Sequence, residues 1–170
     1  MNAREILEKH KQEIVTRWAE AVFQTYPLET TGFLRTRNDP FTNPVAHMTR
    51  QAANVLFDAL LGDSIEPEDI KKALERFIRL RAVQEFAPSR NMAVFFLIKP
   101  IVRELALAEI LENGQLRDYL EMEEKLDTLA LLAFDLFTEA RETLAEARIK
   151  EIKNQYAQLA VWAERLENGS

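Results

Sequence analysis

Two histidines, three serines and no cysteines limit the side-chain chemistry available to this chain of 170 residues. The absence of cysteine excludes thiolate zinc sites, cysteine-ligated clusters and thiol nucleophiles. None of the serines lies in a Gly-x-Ser-x-Gly motif, and the four glycines are too scattered to form a phosphate-binding loop. Because the sequence contains no catalytic constellation, we expect that the protein is not an enzyme.

His10 is followed three residues later by Glu13, a spacing that places both side chains on one face of a helix. Two ligands do not make a metal site, and the sequence has no His-x-x-x-His pair, no Glu-x-x-His pair and no calcium loop. We therefore expect no metal, and interpret His10 as a half-buried histidine that hydrogen-bonds to a neighbour.

Arg81 continues an apolar helical stripe formed by Ile70, Leu74 and Phe77. At about 100° per residue it lies about 20° from Ile70, so it should face the core. A buried guanidinium is costly unless a carboxylate, a carbonyl or a bound anion lies opposite it. An internal ion pair is the favoured interpretation, and a ligand pocket is the alternative. The candidate pocket residues are the polar Arg81 and Gln84 and the apolar Phe77, Phe95 and Phe96.

The elements that position these residues are predicted to be helices throughout. Apolar residues make up 47% of the chain and recur at spacings of three and four, whereas only four glycines and six prolines occur. The predicted fold class is therefore all-α. The predicted helices span about residues 3–26, 44–62, 66–87, 89–112 and 115–168, and Pro100 should kink the fourth of them.

Local signals mark several of these boundaries. Asn2 and Glu5 have the spacing of a capping box, and Asn43 should cap the helix that begins at Pro44. Residues 27–44 should form an irregular connection in which Asp39 and Asn43 clamp the backbone by side-chain hydrogen bonds. We expect Phe41 to pin this connection to the core, and a lid over a pocket is the alternative.

The last third of the chain should form one long helix, because residues 115–168 contain neither proline nor glycine. Its length of about 75–80 Å would exceed the diameter of the domain, so its far end must project or break. The apolar stripe of this helix shifts phase near its end, and a projecting stripe needs a cover. We therefore predict a homodimer. The predicted dimer seam consists of Ile152, Tyr156, Leu159, Ala163 and Leu166.

The charge balance and the apolar runs bound the partners and the compartment. A net charge of −6 without clustered cations argues against nucleic-acid binding. The longest apolar run, residues 92–98, is far shorter than the ~20 residues of a membrane span. Charged residues occupy the N-terminus, where a signal peptide would be apolar. Together with the lack of cysteine, these features predict a cytoplasmic protein that has no membrane span.

Several segments resemble the N-terminal domain of the RsbR/RsbRD stressosome co-antagonists over about residues 5–150. The resemblance implies a globin-like helical bundle that lacks haem, a dimer, and a long terminal helix that joins the sensor to an output domain. The segments that carry the resemblance are Trp18, residues 25–27 (TYP), 39–45 (DPFTNPV), 79–89 (RLRAVQEFAPS) and 101–104 (IVRE).

The absence of haem is also expected from the residues themselves. Residues 87–112, where a globin would supply its proximal histidine, contain no histidine, so His47 is left as the one candidate ligand from another direction. We therefore expect no cofactor. The chain contains no STAS domain after the long helix, so the phosphorylation-gated kinase capture of the full-length relatives is not expected to carry over.

Two functional hypotheses follow. In the first, residues 1–148 form a non-enzymatic, globin-like sensor domain and residues 149–170 extend its long helix for joining and dimerisation, with an unidentified protein as partner. In the second, the chain is a structural adaptor or accessory protein whose long helix docks into a larger complex. The resemblance leaves open a respiratory, sulfur-metabolism-associated complex, because stand-alone relatives include accessory proteins associated with sulfur respiration.

Overall fold

The computed structural model describes residues 1–27, 30, 32, 34–35, 39, 41–62, 67–84 and 86–169. The regular secondary structure of these residues is helical, which confirms the predicted all-α class. The helices with bounds in this part of the chain are α1 (Ala3–Phe23), α2 (Pro44–Leu61), α3 (Pro67–Ala82), α4 (Pro88–Phe96), α5 (Ile98–Glu112) and α6 (Leu116–Asn168).

The helix caps follow the sequence signals closely. The Glu5 amide donates to Asn2 Oδ1 at 2.8 Å, and the Asn2 amide donates to Glu5 Oε2 at 3.0 Å, so the predicted capping box is present. Asn43 Oδ1 accepts from the Ala46 amide at 3.2 Å at the start of α2. At its other end Gly62 adopts φ 76°, the left-handed conformation that glycine tolerates best.

Two predicted boundaries differ from the structure. α1 ends at Phe23 rather than near Tyr26, and the Tyr26 amide instead donates to the Phe23 carbonyl three residues back. A residue that precedes proline, as Tyr26 does, is driven out of the α conformation, which explains the early end. The third helix ends at Ala82 rather than at about residue 87; it begins at Pro67, and Glu66, with which its start was also predicted, lies outside the described residues.

Phe41 is not the plug of the connection before α2. Its side chain is 94% exposed, so the prediction that it pins this segment to the core is wrong. The anchor is Asn43, which is buried and whose Nδ2 donates to the Leu34 carbonyl at 3.3 Å. Asp39 Oδ1 accepts from the Phe41 amide at 3.1 Å, so the predicted clamping by both polar residues is confirmed.

The predicted kink in the fourth helix occurs as an interruption at Leu97, which separates α4 from α5. Pro100 is its physical cause, because a proline ring clashes with the carbonyl four residues earlier, here that of Phe96. Carbonyls in the last turn of a helix lack donors within the helix. One of them, on Val94, accepts a hydrogen bond of 2.7 Å from Trp18 Nε1 on α1.

The core lies where α1 packs against α2 and α5 and where α6 packs against α3 and α4. Aromatic rings link these pairs at its centre: Phe77 lies 6.0 Å from Trp18 and 6.0 Å from Phe95, between ring centroids. All three rings are at most 2% exposed. Burying one such side chain contributes about 1.5–3 kcal/mol to folding.

Helix α6 is unbroken over its 53 residues, as predicted, and is therefore about 80 Å long. Its core-facing side chains are buried as far as Phe137 and half-buried at Leu144. Residues 145–169 are all exposed. The helix thus leaves the core after Leu144. Within the described residues, no helix combines the length and the apolar character needed to cross a membrane.

Candidate functional site

Arg81 is completely buried at the C-terminal end of α3. It lies there because it occupies the same helical face as Leu74 and Phe77, which are also completely buried. The predicted burial of Arg81 is therefore confirmed. The question that the sequence left open is which groups surround its guanidinium.

Neutral groups from two other elements bind this guanidinium. Arg81 Nε donates to Asn91 Oδ1 on α4 at 3.0 Å, and Nη1 donates to Thr25 Oγ1 after α1 at 3.2 Å. No carboxylate among the described residues pairs with Arg81, so the internal ion pair that the sequence favoured is absent from this part of the chain. An amide and a hydroxyl take the place of the expected acid.

Aromatic rings form the walls around the charge. The guanidinium carbon of Arg81 lies 4.8 Å from the centroid of Phe86, 5.5 Å from that of Tyr26 and 5.9 Å from that of Phe77. The face of an aromatic ring attracts a cation by about 0.5–2 kcal/mol when both are desolvated. The rings therefore offset part of the desolvation of the charge, but they supply no negative charge.

Three buried polar atoms at this site have no hydrogen-bond partner among the described residues: Arg81 Nη2, Asn91 Nδ2 and Gln84 Oε1. Each such atom costs about 1–3 kcal/mol of stability. Burial lowers the pKa of Arg81, an effect that Tyr26 partly opposes and the nearby positive charge of Arg90 slightly increases. The site is thus a buried cation whose hydrogen-bonding capacity is only partly used.

The structure brings together some of the predicted pocket residues. Phe77 contacts Arg81 directly. Gln84 follows on the next turn, where its backbone N–H donates to the Arg81 carbonyl at 3.1 Å. Phe95 lies one layer behind, edge-on to Phe77. Phe96 is 43% exposed at the surface, where the Lys99 ammonium lies over its ring at 5.8 Å.

Sequence reasoning missed four residues that surround Arg81. Asn91 carries a usable signal, because it is a polar residue next to the apolar run of residues 92–98. Thr25 and Tyr26 are distant from α3 in the sequence, and Phe86 lies in the irregular segment after it. Helical periodicity could therefore not place these residues at the site. The four residues are Thr25, Tyr26, Phe86 and Asn91.

The histidines belong to other environments. His10 Nε2 lies 3.3 Å from Glu109 Oε2 on α5, so the half-buried, hydrogen-bonded interpretation is confirmed with a partner other than Glu13. Hydrogen bonds from Lys9 and then His10 hold the pKa of Glu109 below its usual value. His47 is exposed on α2. No cluster of three or more metal-binding side chains occurs in the described part of the chain.

A second candidate surface lies on α6, where the predicted seam residues share one exposed face. The exposed fractions are 51% for Ile152, 71% for Tyr156, 65% for Leu159 and 63% for Leu166. The same face begins earlier than predicted, because Leu131 and Phe134 are also 68% and 47% exposed. Their neighbours Ala130 and Ala133 are buried, so α6 has one apolar face toward the core and a second, about 100° away, toward solvent.

Comparison with protein families gives this architecture a relationship. The family model described as the RsbT co-antagonist protein rsbRD N-terminal domain matches residues 12–152. The chain belongs to this family, which makes it a stressosome-related sensory domain. The match includes the whole Arg81 site and ends at the first predicted seam residue. Comparisons with curated proteins and with solved structures found no match.

Replacing Arg81 with Met tests whether this charge stabilises the fold. We expect Arg81→Met to raise the free energy of unfolding by about 1 kcal/mol, because the desolvation of a charge that no acid among the described residues offsets outweighs the cost of leaving Asn91 Oδ1 without its donor. Urea unfolding followed by circular dichroism measures the change. The control Arg79→Met, on the exposed face of α3, should change stability by less than about 0.5 kcal/mol. A loss of more than about 2 kcal/mol in Arg81→Met would show that the charge is structural.

Proposed function

We propose that this protein is a globin-like sensory and regulatory domain without catalytic activity, which acts inside the cell as a homodimer through contacts with another protein. Membership of the co-antagonist family supports the regulatory role. The single observation that carries the dimer is the second apolar face of α6, which runs along the helix from the core into the projecting end.

The spacing on this face favours a helix as its cover. One set of positions recurs every seven residues, which is the period of a left-handed coiled coil. From Ala145 onward a second set alternates with it at spacings of four and three, which gives a continuous seam. A second copy of the chain presents the same seam, so the two faces are self-complementary. The seven-residue set is Leu131, Thr138, Ala145, Ile152, Leu159 and Leu166.

A direct contact supports coupling between the Arg81 site and the long helix. Arg141 on α6 donates from Nη1 to the Ala82 carbonyl at 3.0 Å, one residue after Arg81. The same helix carries Phe137 toward the core and Thr138 on the seam face. A ligand that favours one of two arrangements at Arg81 would therefore shift α6 and change how two copies pack.

The adaptor hypothesis has an observation of its own. Trp162 and Val161 are 66% and 47% exposed, and on a helical wheel they lie about 100° and 160° from the seam. A two-helix dimer would leave much of Val161 uncovered. This apolar surface at the end of α6 supports docking to a further protein, either in addition to sensing or in place of it.

Charged substitutions in the seam test the dimer. The double variant Ile152→Glu with Leu159→Glu places carboxylates where two copies would meet, and we expect it to sediment as a monomer at micromolar concentration while its helical content stays unchanged. The matched control, Asn154→Glu with Gln158→Glu, adds the same charge on the opposite face and should remain dimeric. A dimer that survives in the seam variant would contradict the proposed interface.

Deletion of residues 150–170 separates the sensor from the adaptor. Since residues 145–169 are all exposed, we expect the shortened chain to keep its core and to unfold within a few degrees of the full chain. A sensor core should also retain any ligand response that depends on Arg81. An adaptor would instead lose its protein partner and show no such response. Thermal unfolding by circular dichroism and affinity purification with each chain provide the two readouts.

A further inference from the structure

The three unsatisfied polar atoms of the Arg81 site define what is missing from it. Arg81 Nη2 and Asn91 Nδ2 are donors, and Gln84 Oε1 is an acceptor. Arg81 and Asn91 are held together by the 3.0 Å bond between Nε and Oδ1, so the free Nδ2 of the same amide lies beside the guanidinium. Both side chains are completely buried. Among the described residues, two donors beside this positive charge and one acceptor three residues after Arg81 thus have no hydrogen-bond partner.

The charge around Arg81 specifies the sign of the missing group. Rings of Tyr26, Phe77 and Phe86 surround the guanidinium, and the neutral Asn91 and Thr25 bind it. Tyr26 also acts on the guanidinium as a hydrogen-bond partner and raises its pKa, whereas the nearby positive charge of Arg90 lowers it. No acid among the described residues balances this buried cation, so an anionic ligand would do so. A carboxylate supplies that charge with two acceptor oxygens in one plane, the geometry that a guanidinium binds best.

We propose that this site binds a small hydroxycarboxylate. Its carboxylate would accept hydrogen bonds from Arg81 Nη2 and Asn91 Nδ2, and its hydroxyl would donate to Gln84 Oε1. This assigns a ligand class to the proposed sensory function and rests on that function for its signalling role, although binding itself does not. Because Arg81 and Asn91 are both completely buried, the proposed ligand has to be small.

The start of the turn that follows α3 is partly open to solvent: Val83 is 57% exposed and Gln84 is half-buried. We therefore expect a ligand to enter past these two residues. The turn begins directly after Ala82, whose carbonyl holds Arg141 of α6. Binding at Arg81 therefore acts next to the contact that connects the site with the long helix.

The experiment measures the melting temperature of the full chain in sodium glycolate, sodium acetate and sodium chloride at equal ionic strength. We expect glycolate to raise the melting temperature by about 3–6 °C with a saturating dose dependence. Acetate, which has no hydroxyl for Gln84, should act more weakly, and chloride should have no saturating effect. Isothermal titration with glycolate then gives the stoichiometry, expected to be one per chain.

Two variants and a control make the result specific. Asn91→Asp keeps the acceptor for Arg81 Nε and adds an internal carboxylate, so it should melt higher than the parent and lose the glycolate response. Arg81→Met should lose the response as well. The control Arg117→Met removes an arginine whose side chain is 89% exposed and should respond like the parent.

Each outcome decides the proposal. Equal shifts of the melting temperature with all three salts would refute the proposed binding site. A saturating glycolate response that survives in both Asn91→Asp and Arg81→Met would refute it as well. The seam variant Ile152→Glu with Leu159→Glu separates this result from the dimer, because a monomer should still bind glycolate. If glycolate binds but the chain is a monomer, the proposed function is refuted and the binding site stands. If the chain is a dimer but glycolate does not bind, the binding site is refuted and the proposed function stands.

Discussion

The structure depends on one helix, α6, which carries two apolar faces. The face of α6 that includes Ala133 and Phe137 completes the core, and the face that includes Leu131 and Ile152 remains exposed. A helix about 80 Å long cannot fold both faces onto a domain of this size. The core therefore determines where the second face begins, and the hydrophobic effect favours the proposed cover by another helix.

The buried charge of Arg81 is the second constraint, and it lies against the same helix. Because no acid among the described residues pairs with this guanidinium, its burial among aromatic rings costs stability. Arg81 lies one residue before Ala82, whose carbonyl binds Arg141 of α6. A change at Arg81 would therefore act next to the contact that holds α6. The chain belongs to a sensory family, and a ligand at Arg81 would act next to the contact that holds the long helix.

Local signals predicted most of the fold, because caps and proline breaks act within a few residues. The Asn2 and Asn43 caps, the Gly62 end and the unbroken α6 are all present. The surroundings of Arg81 could not be predicted in the same way, because Thr25 and Asn91 reach it from distant segments. The prediction for Phe41 was wrong because a phenylalanine is usually buried, whereas here the hydrogen bonds of Asn43 anchor the segment and Phe41 stays exposed.

The mass of the intact chain in solution tests the central claim, that a second copy covers the exposed face of α6, most directly. Size-exclusion chromatography with light scattering at micromolar concentration should return twice the chain mass of 19.7 kDa. A mass of one chain at that concentration would show that α6 carries its second apolar face without a twin. The coupling from Arg81 through Arg141 to a dimer would then have no second subunit on which to act.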